Sequence, residues 1–173
     1  MGKIIMIGPA GEIEASLIKG VKETIEHRFM VSVLEDCKHP LPQEAFDPVR
    51  LQYHAPKFLE KSEAQLFSSP LRGVETLHLL LTHVDLYCPS LNYVFGYAVP
   101  EKGIAIVSTS RFRNKLFERT IKTAIHEIGH LFGLPHCHDQ KCVMYFSFDL
   151  SDTDKKTDNF CEECRKRFLK EAA

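Results

Sequence analysis

Four histidines, two cysteines and a glutamate lie within the twenty residues from Ile125 to Met144, which read IHEIGHLFGLPHCHDQKCVM. Imidazole nitrogens and thiolates are the ligands that zinc prefers in proteins. So dense a group of both kinds predicts metal binding. The spacing of the side chains decides whether they serve one ion or two.

The first group is the HExxH pattern formed by His126, Glu127 and His130, on the longest helical pattern of the chain, Asn114–Phe132. Residues four apart lie about 40° apart around a helix and ~6 Å along it, so both imidazoles can reach one ion. Glu127 is turned by about 100° from His126, which places its carboxylate beside the ion as a general base for the attacking water. Two exposed histidines and a solvated glutamate are the alternative interpretation of so short a motif.

A third histidine requires the helix to end. If the helix continued, His136 would lie ~15 Å beyond His126 and could not share its ion. Gly133 can adopt the left-handed conformation that ends a helix, and Pro135 cannot continue one. The chain therefore turns back and brings His136 to the metal, and three protein ligands with one open position are typical of catalytic zinc.

Four cysteines in the last 37 residues, spaced C-x4-C and C-x2-C, form a second group: Cys137, Cys142, Cys161 and Cys164. Two such pairs separated by a loop are typical of a closed four-thiolate zinc site, with disulfides or unrelated thiols as the alternatives. Cys137 or His138 could also replace His136 as third ligand of the first ion. Because thiolates favour an all-cysteine site, we assign Cys137 to the second ion and His138 to the surrounding loop.

The combined pattern HExxHxxGxxHC-x4-C-x-M…C-x2-C resembles that of the archaemetzincins, a family of metzincin metalloproteases. The resemblance is specific over Thr123 to Cys164. It implies a catalytic zinc on the three histidines, Glu127 as general base, Met144 in a turn beneath the metal, and a structural zinc on the four cysteines. The implied cofactor is thus two zinc ions per chain.

One position departs from metzincins at large. Some of them carry a tyrosine two residues after the turn methionine, where it can touch the metal. This chain has Phe146 at that position, and Tyr145 lies one residue early. No catalytic role is assigned to Tyr145 on this pattern.

The rest of the chain must supply the elements that position these ligands. Periodicity predicts strands at Lys3–Ile7, Phe29–Leu34, Thr76–Thr82, Tyr93–Val99 and Gly103–Thr109. It predicts helices at Ile13–His27, Lys57–Phe67, Asn114–Phe132 and Glu162–Lys170. Four prolines predict a long surface loop over Asp36–Pro56. This order indicates an α/β (α+β) fold, with a mixed twisted sheet, flanking helices and a small irregular zinc-bound C-terminal lobe.

The resemblance places Tyr93–Val99 at the sheet edge that borders the cleft, where it pairs with an extended substrate. Alternation puts Tyr93, Phe95 and Tyr97 on one face and Val94, Gly96 and Ala98 on the other.

Three smaller features complete the pattern. The segment Gly8–Gly11 (GPAG) does not form GxGxxG and is interpreted as a turn before a helix, with a nucleotide site as the alternative. Cys37 and Cys88 fall outside both metal groups and are interpreted as small apolar packing residues. The basic run Arg165–Lys170 is interpreted as a solvated helix end.

Composition limits the possible classes of protein. The 173 residues, 44% hydrophobic and 26% charged, predict one domain over 1–173, with an N-terminal lobe at 1–133 and a zinc lobe at 134–173. A net charge of −1 argues against a nucleic-acid or anionic-membrane surface. No signal peptide and no apolar run of ~18 residues is found, so we expect a cytoplasmic protein, and we expect a monomer.

The predicted function is zinc-dependent hydrolysis of peptide bonds in a peptide or protein substrate. The alternative is a catalytically weak or inactive zinc protein that acts as a peptide- or protein-binding module. Glu127 counts against that alternative, because a binding module needs no general base beside its metal.

Overall fold

Two sheets form the framework of the computed structural model, which describes residues 3–66 and 74–172. The strands are β1 (Lys3–Ala10), β2 (Ser32–Glu35), β3 (Phe46–Asp47), β4 (Gln52–His54), β5 (Glu75–Thr82), β6 (Leu86–Cys88), β7 (Leu91–Val94), β8 (Gly96–Val99) and β9 (Ile104–Ser108). The larger sheet has the order β2-β1-β5-β9-β8, in which the first four strands are parallel and β8 is antiparallel to β9. The smaller sheet has the order β3-β4-β6-β7. The predicted mixed sheet is confirmed.

Helices cover both faces of the larger sheet. They are α1 (Ala15–Phe29), α2 (Ala55–Leu66), α3 (Leu116–Leu131), α4 (Leu150–Lys155) and α5 (Glu162–Glu171). Leu79 and Leu81 of β5 belong to the core that contains α1 and α3, whereas Leu80 belongs to the core that contains α2. Burial on both faces explains why β5 is apolar along most of its length. Within the described ranges, every helix is too short or too polar to cross a membrane.

The long elements lie close to their predicted positions, although several of their boundaries are displaced by two or three residues. The strand predicted at Phe29–Leu34 begins only at Ser32, because α1 continues to Phe29, whose ring is buried in the core. Met30 then ends the helix with a left-handed φ of 53°. The turn predicted at Gly8–Gly11 was also misassigned in part. Gly8 to Ala10 lie in β1, and the chain turns only at Gly11.

The prediction of a structureless loop at Asp36–Pro56 is wrong in part. The segment contains β3, β4 and a 3₁₀ turn, and Pro56 lies in the first turn of α2, where proline is tolerated. The helix predicted at Lys57–Phe67 begins at Ala55, and Phe67 lies outside the described residues.

The strand predicted at Tyr93–Val99 is divided at Phe95. Its first half, β7, belongs to the smaller sheet, and its second half, β8, is an edge strand of the larger one, as predicted. The alternation of side chains shifts at the break. Phe95 and Ala98 pack into the core beside α3, while Tyr97 packs toward α2, so the predicted faces of Tyr97 and Ala98 were wrong.

Candidate metal centre and catalytic glutamate

The helix that carries HExxH ends at Leu131, one residue after its second histidine. Gly133 has a φ of 80°, and its N–H donates to the carbonyl of His130 at 2.9 Å. The N–H of Leu134 donates to the carbonyl of Gly129 at 3.0 Å. These two bonds form a Schellman motif, which ends a helix and reverses the chain. The reversal returns His136 to the face of α3 that carries His130, as the sequence predicts.

Three imidazoles converge on one point. The Nε2 atom of His130 lies 3.1 Å from Nε2 of His126 and 3.2 Å from Nε2 of His136. Two nitrogen ligands of a tetrahedral zinc ion lie about 3.3 Å apart, since each is about 2.0–2.1 Å from the metal. The spacing of the three nitrogens therefore fits one zinc ion.

Hydrogen bonds on the far side of two rings fix which nitrogen faces the centre. Nδ1 of His126 donates to the carbonyl of Val143 at 2.8 Å, and Nδ1 of His130 donates to the carbonyl of Leu134 at 2.8 Å. A carbonyl can only accept, so each Nδ1 carries the proton and each Nε2 presents a lone pair. Lone pairs that converge within 3.1 Å repel each other unless a cation lies between them.

Burial keeps these imidazoles neutral. It lowers the pKa of His126 well below its usual value, lowers the pKa of His130 to about 4, and lowers the pKa of His136 as well. The neutral imidazole is the form that binds a metal. His136 remains exposed, so the centre is open to solvent on that side.

Glu127 lies under the edge strand of the larger sheet, beside the histidines. Its side chain is buried, and burial raises the pKa of its carboxyl to about 8. A Cβ at Gly96 of β8 would overlap the Glu127 carboxylate, so the strand can cross here only as glycine. This role of Gly96 was not predicted from the sequence, although a glycine inside a strand pattern is a signal of close approach.

Met144 forms the floor of the centre. It is fully buried, and a Cβ at Gly129 of α3 would overlap its sulfur atom. The N–H of Cys137 donates to the carbonyl of Met144 at 3.0 Å, which ties the turn to the segment that carries the third histidine. The rings of Phe146 and His136 pack in a T-shaped arrangement, with ring centroids 5.0 Å apart.

The four C-terminal cysteines form a separate cluster. Their sulfur atoms all lie within 4.8 Å of one another, and Sγ of Cys137 is 3.8 Å from Sγ of Cys161. Thiolates that are about 2.3 Å from a tetrahedral zinc ion lie about 3.8 Å apart, whereas a disulfide is about 2.05 Å long. The N–H of Cys161 donates to Sγ of Cys142 at 3.3 Å, which stabilises a thiolate there. The cluster therefore fits a second zinc ion.

The structure also shows where the other candidate cysteines and His138 lie relative to the two clusters. Cys137 lies with the thiolates, and His138 is exposed outside both clusters, so neither joins the histidine centre. Cys88 is buried, as predicted for a packing residue. Cys37 is exposed, so its predicted packing role was wrong. Lys156 was missed by the sequence analysis, because a single lysine in a charged segment carries no spacing signal, yet it is buried beside Glu127.

Comparison with known proteins identifies the family. The family model described as Peptidase family M54 matches residues 4–170. The archaemetzincin of Methanopyrus kandleri is 41% identical, over 94% of this chain and 93% of that protein. The archaemetzincin of Pyrococcus furiosus is 34% identical, over 96% of this chain and 93% of that protein. A crystal structure of a zinc-dependent peptidase from Methanocorpusculum labreanum is 34% identical, with a TM-score of 0.85 over 95% of this chain and 99% of that chain. This chain therefore belongs to the archaemetzincins of Peptidase family M54, which are zinc metallopeptidases.

Proposed function

We propose that this chain hydrolyses peptide bonds at a zinc ion held by His126, His130 and His136, with Glu127 as the general base. The observation that carries the proposal is the convergence of three Nε2 atoms, 3.1 and 3.2 Å apart, directly beside a buried glutamate. A zinc ion held there supplies Lewis acidity to the attacking water and to the scissile carbonyl.

The protein groups then have distinct tasks. The carbonyls of Val143 and Leu134 hold two imidazoles in the orientation that faces the centre. Glu127 accepts a proton from the attacking water and delivers it to the leaving amine. The free edge of β8 offers backbone groups to an extended peptide or protein substrate, which would add to the sheet as a further strand.

We also propose that the four cysteines hold a structural zinc ion, which gives two zinc ions per chain. A closed four-thiolate site leaves no coordination position for substrate. It would stabilise the C-terminal lobe at 134–173 against the N-terminal lobe at 1–133. Buried residues of both lobes belong to one core cluster, which supports a single domain. A monomeric state and a cytoplasmic location remain predictions.

The test is a cleavage profile on a diverse peptide mixture, compared between the parental protein and Glu127→Ala. The variant keeps every proposed zinc ligand, so it should retain its zinc while hydrolysis falls by about 10²- to 10⁴-fold. Hydrolysis at the parental rate by pure variant protein would refute Glu127 as the base. A parental protein that carries zinc and cleaves nothing would favour the binding module instead.

A further inference from the structure

A small cavity of about 60 Å³ opens beside Glu127. It lies between α3, the break between β7 and β8, and the segment that follows Met144, and its polar lining includes Thr123, Ser147 and Lys156. A cavity of about 150 Å³ holds a benzene molecule, so this one accommodates a group of about two to four non-hydrogen atoms. That is the size of a carboxylate and too small for an aromatic ring.

Lys156 brings a positive charge to this cavity. Its side chain is 4% exposed, and burial lowers the pKa of its ammonium group to about 8. An ammonium group has three N–H donors. Within the described residues it has one hydrogen-bond acceptor, the carbonyl of Tyr145 at 3.1 Å. Glu127 lines the same cavity, and its carboxylate interacts electrostatically with the Lys156 ammonium group, although within the described residues no hydrogen bond or close ion pair joins the two.

A second buried lysine provides a comparison, because its ammonium group has three hydrogen-bond acceptors. Lys122 of α3 is 6% exposed, and its Nζ atom donates to the Glu118 carboxylate at 2.8 Å. It also donates to the carbonyls of Thr153 at 3.2 Å and Asp154 at 3.3 Å. Lys122 therefore uses its donors to join α3 to α4, whereas Lys156 keeps donor capacity at the cavity.

Ser147 adds a second unused donor at the same place. Its Oγ atom is buried and has no hydrogen-bond partner within the described residues. Buried polar groups in proteins are normally satisfied, so an unpartnered hydroxyl beside an ammonium group that uses only one of its donors favours an acceptor as the occupant. A positive charge among those donors favours an anionic acceptor.

We propose that Lys156 and Ser147 form a specificity pocket for an acidic substrate side chain, aspartate in particular, next to the scissile bond. This inference rests on the proposed hydrolysis at the neighbouring centre. The cavity size favours aspartate over the longer glutamate. The charge of Glu127 does not oppose an acidic side chain, because a zinc ion on the three histidines would outweigh it.

The kinetic test uses peptide pairs that differ only by aspartate or asparagine beside the bond that the protein cleaves, all with amidated C termini so that no other carboxylate is present. The parental protein should show a kcat/KM at least about tenfold higher for the aspartate peptide. Lys156→Met should reduce that ratio to near one, and Ser147→Ala should reduce it partly. Lys155→Met, at an exposed neighbouring position, is the matched control and should keep the parental ratio.

A purely structural role for Lys156 would give a different pattern. Loss of its bond to the Tyr145 carbonyl would slow both peptides equally and leave the ratio unchanged, which would overturn the specificity pocket. Lys156→Gln serves as a second variant, with thermal unfolding and zinc content as checks on folding. If neither variant folds, equal kcat/KM values for the two peptides on the parental protein would by themselves overturn the proposal.

Binding supplies a readout that does not depend on catalysis. Calorimetry on Glu127→Gln, which preserves the volume of that side chain, should give a Kd at least about tenfold lower for the aspartate peptide than for the asparagine peptide. The preference should disappear when Lys156→Met is added. Hydrolysis without an aspartate preference would overturn the pocket and leave the proposed function intact. A binding preference without any hydrolysis would support the pocket and overturn the proposed function.

Discussion

The packing of the metal centre depends on two glycines as well as on its histidines. Gly96 lets β8 cross over the Glu127 carboxylate, and Gly129 lets α3 rest on the sulfur of Met144. Neither glycine has a positive φ, so the requirement at both positions is space and not backbone freedom. The centre is therefore sensitive to a single added methyl group.

Gly129→Ala tests that sensitivity. Alanine in a helix interior normally stabilises by about 0.8–1 kcal/mol relative to glycine. Here the new methyl group would overlap a fully buried methionine, and overpacking costs about 1–3 kcal/mol. We expect a lower free energy of unfolding in a denaturant titration and weaker zinc binding. Adding Met144→Ala should relieve the overlap, and the two changes should be non-additive. A more stable Gly129→Ala protein would show that Met144 does not rest on this helix.

One peptide unit joins the two proposed metal sites. His136 belongs to the open histidine centre, and Cys137 belongs to the thiolate cluster. The bond from the Cys137 N–H to the Met144 carbonyl also fastens that peptide to the turn below. Despite this proximity the two sites should respond differently to chelators, because only the histidine centre has an open coordination position.

Mild chelation should therefore remove one zinc ion together with activity while the fold stays near native. Complete chelation should then loosen residues 137–164, since a structural zinc can contribute on the order of 10 kcal/mol in small metal-dependent domains. The contribution should be smaller here, because the sheets and helices have their own core. Hydrogen exchange after each step measures this order. Loss of protection over residues 137–164 together with the first zinc ion would contradict it.

The helix of the metal centre was predictable from the sequence, whereas several short elements were not. The helix of His126 and His130 was predictable because helical spacing and the break at Gly133 are local. The strands β4 and β6 and the helix α4 were missed, because three to six residues are too few to reveal a period. Lys156 lies near Glu127 only through tertiary packing, so no spacing along the chain could have placed it there.

An aromatic cluster attaches the proposed C-terminal lobe to the main core. The ring centroid of Phe168 in α5 lies 5.1 Å from that of Phe29 and 4.8 Å from that of Phe132. These rings come from α1, the end of α3 and α5, so burial of Phe168 couples both ends of the chain. The proposed single domain should therefore unfold as one unit.

Phe168→Ala tests this coupling. Removing a buried phenylalanine side chain costs about 3–5 kcal/mol, so the whole protein should unfold earlier in one transition. Leu169→Ala is the matched control, because the neighbouring leucine is 60% exposed and should change the free energy of unfolding little. A separate early transition that spares the sheets would mean that the C-terminal lobe is an independent unit.

Seven side chains divide into two proposed zinc sites, one of histidines and one of cysteines. Elemental analysis of the purified protein and of two single variants tests this division. We expect two zinc ions per chain in the parental protein and one in each of His130→Ala and Cys161→Ser, with Cys37→Ser, an exposed cysteine outside both sites, keeping two. Hydrolysis should be lost with the histidine and should persist, at reduced stability, without the cysteine. A reproducible single zinc ion in the parental protein that Cys161→Ser leaves unchanged would contradict the division.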